Sequence, residues 1–153
     1  MTDRLRAVLD TNVFVSAFLS RNPSSPTREI LQRWKAGEFV LLVSDALIDE
    51  LAEKLLARRI HPERIAEFLT LLARLADWID VPRDAVRPAV QEDPDDDLIL
   101  ACAVVGKADY LVTYDAHFEP LGSVYEEIKI TKALPFLREL RGDRPPEGSS
   151  IFT

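Results

Sequence analysis

The chain of 153 residues holds one cysteine, two histidines and five glycines, and each shortage closes a route. A lone Cys102 forms no internal disulfide, so stability must come from a packed core, and a reducing cytoplasm is the expected home. Cys102 itself, inside an apolar stretch, reads as inert packing. With one cysteine and with His61 and His117 far apart in sequence, zinc is excluded as the main theme. The sequence has neither a glycine-rich phosphate loop nor a glycine-flanked serine nucleophile, which argues against P-loop and esterase chemistry. No apolar run approaches the roughly 20 residues that span a bilayer, and "MTDRLRAVLD" lacks the apolar core of a secretory signal. No membrane association is expected. Cations are scarce: 19 Lys and Arg stand against 26 Asp and Glu, a net charge of −7. A partner held by bulk positive charge is therefore disfavoured, whereas an enzyme that meets phosphates through bound cations is not.

What the chain does have is apolar material, 47% of its residues, enough for one real core. "RAVLD", "FVLLVS", "YLVTYD" and "EIKI" read as short apolar strands, with "WIDV" a further short one. Helical spacing separates them. One helix follows Asp10. A second is capped at Thr27 and closed at Gly37. Ser44 caps a third, whose apolar face is Leu47, Ile48, Leu51 and Leu55. Pro62 opens a fourth. A fifth runs to about Val105 and stops at Gly106, and Leu134 to Leu140 form the last. "PRDAVRPAVQEDP" reads as a proline-rich loop. Strands alternating with helices predict an α/β fold: a three-layer α/β/α sandwich around a central parallel sheet of about five strands. It should occupy residues 1–141 as one domain, with 142–153 a flexible tail.

Ligands of such sheets bind outside the carboxyl ends of the strands. Asp10 and Asp115 close two strands, and "DPDDDLILACA" sets a run of aspartates against the start of an apolar helix. Capping and the helix dipole explain one or two of these acids. Three in a row, Asp95, Asp96 and Asp97, are harder to explain that way, because clustered carboxylates without counter-charge cost stability. A divalent cation resolves the conflict. Mg²⁺ or Mn²⁺ takes hard oxygen ligands, and carboxylates gathered from several elements suit it.

The motifs "VLDTNVFVSAFLS", "LLVSDALIDELAEKL", "DPDDDLILACAVVGKADYLVTYDAHF" and "IKITKALPFL" resemble the PIN-domain family, in particular the branch of toxin–antitoxin toxins related to VapC-type ribonucleases. The likeness covers roughly residues 4 to 140. It implies a metal-dependent nuclease with an α/β/α fold. By resemblance, Asp10, Glu50, Asp97 and Asp115 are the catalytic and metal-binding acids, and Asn12 and Thr113 are polar supports. Thr113 and Asp115 lie two apart, so an extended strand points both to one side. Asp49 and Glu53 compete with Glu50, which is preferred because it sits nearest the edge of the apolar helix face. Asp96 competes with Asp97. Asp97 is preferred because it adjoins "LILACA", which leaves Asp96 a supporting role. Asp93 and Asp95 read as loop and cap residues, and His117 as a surface or helix-start residue. Arg58, Arg59 and Arg64 fit a solvated basic face.

The expected activity is Mg²⁺- or Mn²⁺-dependent hydrolysis of RNA phosphodiester bonds. The expected partners are an RNA substrate, a cognate antitoxin and a second copy of the chain in a homodimer. Two alternatives compete. One is a receiver-like Mg²⁺-binding module, for which "WIDVP" and "EIKIT" are poor matches. The other is a non-catalytic protein-binding module, against which the full set of acids argues.

Overall fold

The computed structural model of the chain describes residues 4–90 and 94–142. The order of elements is β1 (Arg6–Leu9), α1 (Thr11–Leu19), α2 (Pro26–Lys35), β2 (Val40–Val43), α3 (Asp45–Ala57), α4 (Pro62–Leu75), β3 (Asp77–Trp78), α5 (Pro94–Val105), β4 (Tyr110–Val112), β5 (Val124–Tyr125), β6 (Ile128–Thr131) and α6 (Ala133–Arg141). Short 3-10 turns cover Arg83–Ala85 and Ala116–Leu121. The strands form one sheet in the order β3-β2-β1-β4-β6-β5. Every neighbouring pair is parallel except β5 with β6.

The two central strands explain the apolar runs. Ala7, Val8 and Leu9 of β1 are wholly buried in succession, as are Leu111 and Val112 of β4. Successive strand residues face opposite sides, so both faces of the sheet are covered by helices. Helix α5 lies across β1, β2 and β4, while α6 packs on β4 and α2. Phe68 of α4 meets Phe14, Phe18 and Trp34 edge-on. A second aromatic group, Phe39, Tyr110 and Phe136, fixes α6. Among the described residues, no helix is long and apolar enough to cross a membrane.

The sheet has six strands rather than about five. The addition is β5, joined to β6 by a two-residue turn in which Glu126 and Glu127 take φ of 45° and 70°. Hairpin turns of this kind are usually signalled by Asn or Gly; two glutamates gave no such signal. Other differences are local. Ser25, not Thr27, caps α2, and its hydroxyl accepts from the Arg28 amide. Thr27 is buried beside Ser16 instead. The strand sought in "WIDV" begins one residue earlier and is two residues long. Ser44 caps α3 as expected, accepting from Leu47. Gly106 follows the end of α5 for a reason of space. A Cβ there would stand 2.9 Å from the Cys102 carbonyl and 2.9 Å from Leu42. The part of the expected tail from residue 143 on, and Asp93, lie outside the described residues.

Candidate active site

The parallel strands β1, β2 and β4 end together, and their carboxyl ends carry the acids. Asp10 follows β1 at the cap of α1 and is 2% exposed. Its Oδ1 accepts from the Thr11 amide at 2.7 Å. Its Oδ2 accepts from the Thr113 hydroxyl at 2.7 Å and from Asn12 Nδ2 at 3.3 Å. Thr113, in turn, accepts from the Asp115 amide at 2.9 Å. Asn12 and Thr113, two of the supporting residues expected from the sequence, are therefore in contact with Asp10, and Thr113 links it to Asp115. Asn12 also accepts from the Tyr114 amide at 3.2 Å through Oδ1.

Burial pushes the Asp10 carboxyl above its usual range, and the negative charge of Glu50 adds to this. The hydrogen bonds from Thr113 and Thr11 and the charge of Lys54 oppose it. Burying a carboxylate disfavours its charged form unless charge or hydrogen bonds compensate. Here the compensation is incomplete.

Glu50 lies in the middle of α3 with its side chain 16% exposed, and its Oε2 accepts from the Thr11 hydroxyl at 2.7 Å. Asp49 and Glu53 of the same helix are exposed. This is the placement expected from the angle of Glu50 beside the apolar stripe. Two participants escaped the sequence reading. Thr11 is fully buried and joins Asp10 to Glu50. Lys54 donates to the Thr11 hydroxyl at 3.1 Å and stands 3.6 Å from Glu50. The i,i+4 spacing of Glu50 and Lys54 was a usable signal.

The aspartate run divides three ways, because successive residues of a helix point roughly 100° apart. Asp95 is exposed. Asp96, 4% exposed, places Oδ2 3.1 Å from His117 Nδ1. His117 Nδ1 is also 3.2 Å from Asp115 Oδ1. Ligand atoms of Asp96, Asp115 and His117 all lie within 4.8 Å of one another. Asp97 turns elsewhere: its Oδ1 accepts from the backbone amides of Ala89 and Val90 at 2.9 and 2.7 Å. The carboxylate preferred from the sequence thus holds the loop before α5, and its neighbour joins the cluster. His117 stands at a helix start with its side chain 40% exposed, as expected, and from there it also reaches the cluster. The sequence signal for it was its spacing of two from Asp115 across a helix start, since the Asp115 carboxylate also caps the His117 amide at 2.9 Å.

One cavity adjoins this region and another lies apart from it. The first, of about 290 Å³, adjoins Asp115 and is lined by Tyr114, Phe118, Ile130 and Lys132. A groove of about 230 Å³ between α1, α2 and α4 is lined by Arg28, Lys35 and Arg64 and touches none of the acids above. Arg64 stacks 5.2 Å over the Phe18 ring, while Arg58 and Arg59 are exposed at the end of α3. Cys102 is fully buried, and its thiol is pushed up to about 11, chiefly by burial. It is an inert core residue.

The PIN domain family model matches residues 6–117, and the chain belongs to the PIN domain family. The fold is also that of solved toxin structures. VapBC2 from Rickettsia felis, solved bound to a DNA fragment from their promoter, is 18% identical, with a TM-score of 0.58 over 82% of this chain and 97% of that one. VapC20 from Mycobacterium tuberculosis, described as a Sarcin-Ricin loop cleaving toxin, is 16% identical, with a TM-score of 0.56 over 80% of this chain and 98% of that one. A search of curated proteins found no matching relative. Family membership removes the receiver-like alternative.

Proposed function

We propose that the chain is a metal-dependent endoribonuclease that hydrolyses RNA phosphodiester bonds. The observation that carries this reading is the gathering of Asp10, Glu50, Asp96 and Asp115 from four separate elements at the carboxyl ends of parallel strands. Thr11 links Asp10 to Glu50, Thr113 links Asp10 to the Asp115 amide, and Asp96 stands beside Asp115 and His117. The donor set fits Mg²⁺ or Mn²⁺, which take hard oxygen ligands. A buried Asp10 whose carboxyl is held above its usual range is a site where added positive charge stabilises the fold.

In this reading Asp10, Glu50, Asp96 and Asp115 hold the ion, and Asp96 takes the place the sequence suggested for Asp97. A bound ion of this kind supplies charge stabilisation to a phosphodiester oxygen and lowers the pKa of water. The protein does the positioning. Thr113 and the Thr11 amide hold both oxygens of Asp10 in place, and the Thr11 hydroxyl holds Oε2 of Glu50. Lys54 balances part of the charge. The cavity beside Asp115 offers the Tyr114 ring to a base and Lys132 to a phosphate, which suits a single-stranded substrate.

The toxin role rests on the likeness to VapC structures, and with it go a cognate antitoxin that covers the acidic cleft and a homodimer. Action in the cytoplasm belongs to the same reading. The test is cleavage of labelled single-stranded RNA by the purified chain with Mg²⁺ or Mn²⁺. Cleavage should stop with chelator and with Asp96→Asn. A chain that cleaves no RNA with either ion overturns the nuclease reading, and light scattering that shows only monomer at micromolar concentration removes the dimer.

A further inference from the structure

We infer that His117 is a ligand of the metal ion. Through Nδ1, beside Asp96 and Asp115, it tilts the choice of ion away from Mg²⁺ toward first-row transition ions such as Mn²⁺. The inference rests on the metal-dependent reading above and adds a nitrogen donor to an otherwise all-oxygen set.

Three observations converge. First, the distances suit one coordination sphere. In an octahedron with metal–ligand bonds of about 2.1 Å, adjacent ligand atoms lie about 3.0 Å apart. His117 Nδ1 stands 3.1 Å from Asp96 Oδ2 and 3.2 Å from Asp115 Oδ1. Second, the backbone fixes the turn that carries the imidazole. Asp115 caps the turn that begins at Ala116, with its Oδ1 accepting from the His117 amide at 2.9 Å. The ring is delivered to the carboxylates by the same short helix start that positions Asp115. Third, the His117 side chain is 40% exposed whereas the Asp96 side chain is 6% exposed. The imidazole closes the open side of a cluster whose other side is buried.

The chemistry sets the consequence. Mg²⁺ demands oxygen donors and keeps its waters, whereas imidazole nitrogen is a good donor to transition ions. Removing His117 should therefore weaken Mn²⁺ and spare Mg²⁺. It should leave Asp10, Glu50, Asp96 and Asp115 in place, because the turn is held by the backbone amide and not by the ring.

The test uses the full chain. Calorimetric titration with Mn²⁺ and with Mg²⁺ compares the native protein with His117→Ala, and pulsed EPR of bound Mn²⁺ looks for the ¹⁴N coupling of a coordinated imidazole. The expected result is a nitrogen signal in the native chain that vanishes in His117→Ala. With it should come a loss of Mn²⁺ affinity on the order of tenfold or more and a change for Mg²⁺ under about twofold. The other histidine, His61, caps α4 with its ring nitrogen on the Glu63 amide, so it serves as an internal control through His61→Ala. Mn²⁺ bound without nitrogen coupling in the native chain overturns the role of His117 and leaves the carboxylate site standing. Native protein that binds neither ion overturns both. The EPR result on the native chain decides the matter even if His117→Ala folds poorly.

Discussion

The two halves of the acidic site are built to different standards. Around Asp10 every partner is local or buried: two bonds of 2.7 Å, from the Thr11 amide and from Thr113, clamp a carboxylate that is 2% exposed. Around Asp115 two side chains reach water, Asp115 26% and His117 40% exposed, while Asp96 stays buried. The first half is a rigid base set into the end of the sheet. The second is an open edge, carried by a 3-10 turn and the first turn of α5. Rigid ligands define where an ion sits, and an open edge lets a substrate reach it. Thr113 is the hinge between them, donating to Asp10 and accepting from Asp115.

The sharpest way to break this contrast is at the neighbouring acids of α5. Asp96→Asn should cut RNA cleavage by on the order of a hundredfold or more and abolish the rise in Tm on adding Mn²⁺. Asp97→Asn should keep most of that metal-induced rise but lower the Tm of the metal-free protein. It weakens two charge-assisted bonds to Ala89 and Val90, at a cost of about 1–2 kcal/mol. Thermal melts with and without Mn²⁺ separate the two; a lost metal response in Asp97→Asn returns the ligand role to that residue.

A smaller effect is expected at the hinge. Thr113→Val keeps the shape of the side chain and removes the hydroxyl that serves both halves. Cleavage should fall by roughly 10- to 100-fold, and Tm should fall as well, because the buried Asp10 loses a 2.7 Å bond. Unchanged kcat in this variant would mean the halves are oriented independently.

Asp10 itself makes a prediction about pH. Its folded carboxyl is raised, mainly by burial, above an ordinary value of about 3.9. A raised acid contributes stability while protonated, and that contribution is lost as pH rises through the unfolded and then the folded pKa. In chelator, the Tm of Asp10→Asn relative to the native chain should therefore climb as pH rises above about 4. A flat difference would show that Asp10 ionises as an ordinary surface acid does.

The least effect belongs to a site remote from the cleft. Glu29 of α2 is held down to about 2, chiefly by its hydrogen bond from Arg141 of α6 and then by that from Arg33. Lowered acids stabilise above the unfolded pKa and cease to do so as pH falls through the folded one. Glu29→Gln should lower stability at pH 7 by less than about 1 kcal/mol, as partly exposed pairs do. The difference should fade between about pH 4 and 2. Cleavage should be untouched, and a loss of activity would mean that the α2–α6 clamp reaches the site.

Much was determined by local sequence. Apolar runs of four or so residues, alternating with amphipathic stretches, dictate a parallel sheet covered on both faces. Asp10, Glu50 and Asp115 then fall at strand ends and on the edge of a helix face, because period and position in an element are properties of the chain itself. Ser44 and Pro62 start their helices for equally local reasons. What only the tertiary structure decided was the division of labour among adjacent groups. The order of strands brings β4 beside β1, and only that pairing sets Thr113 against Asp10 and the turn of Asp115 and His117 against α5. Whether Asp96 or Asp97 faces the cluster depends on the rotation of α5 about its axis. That rotation is set by packing across β1, β2 and β4 and by the amides of Ala89 and Val90 that claim Asp97. A step of one residue turns a helical side chain by roughly 100°, so the motif names the run of acids and the packing selects the member.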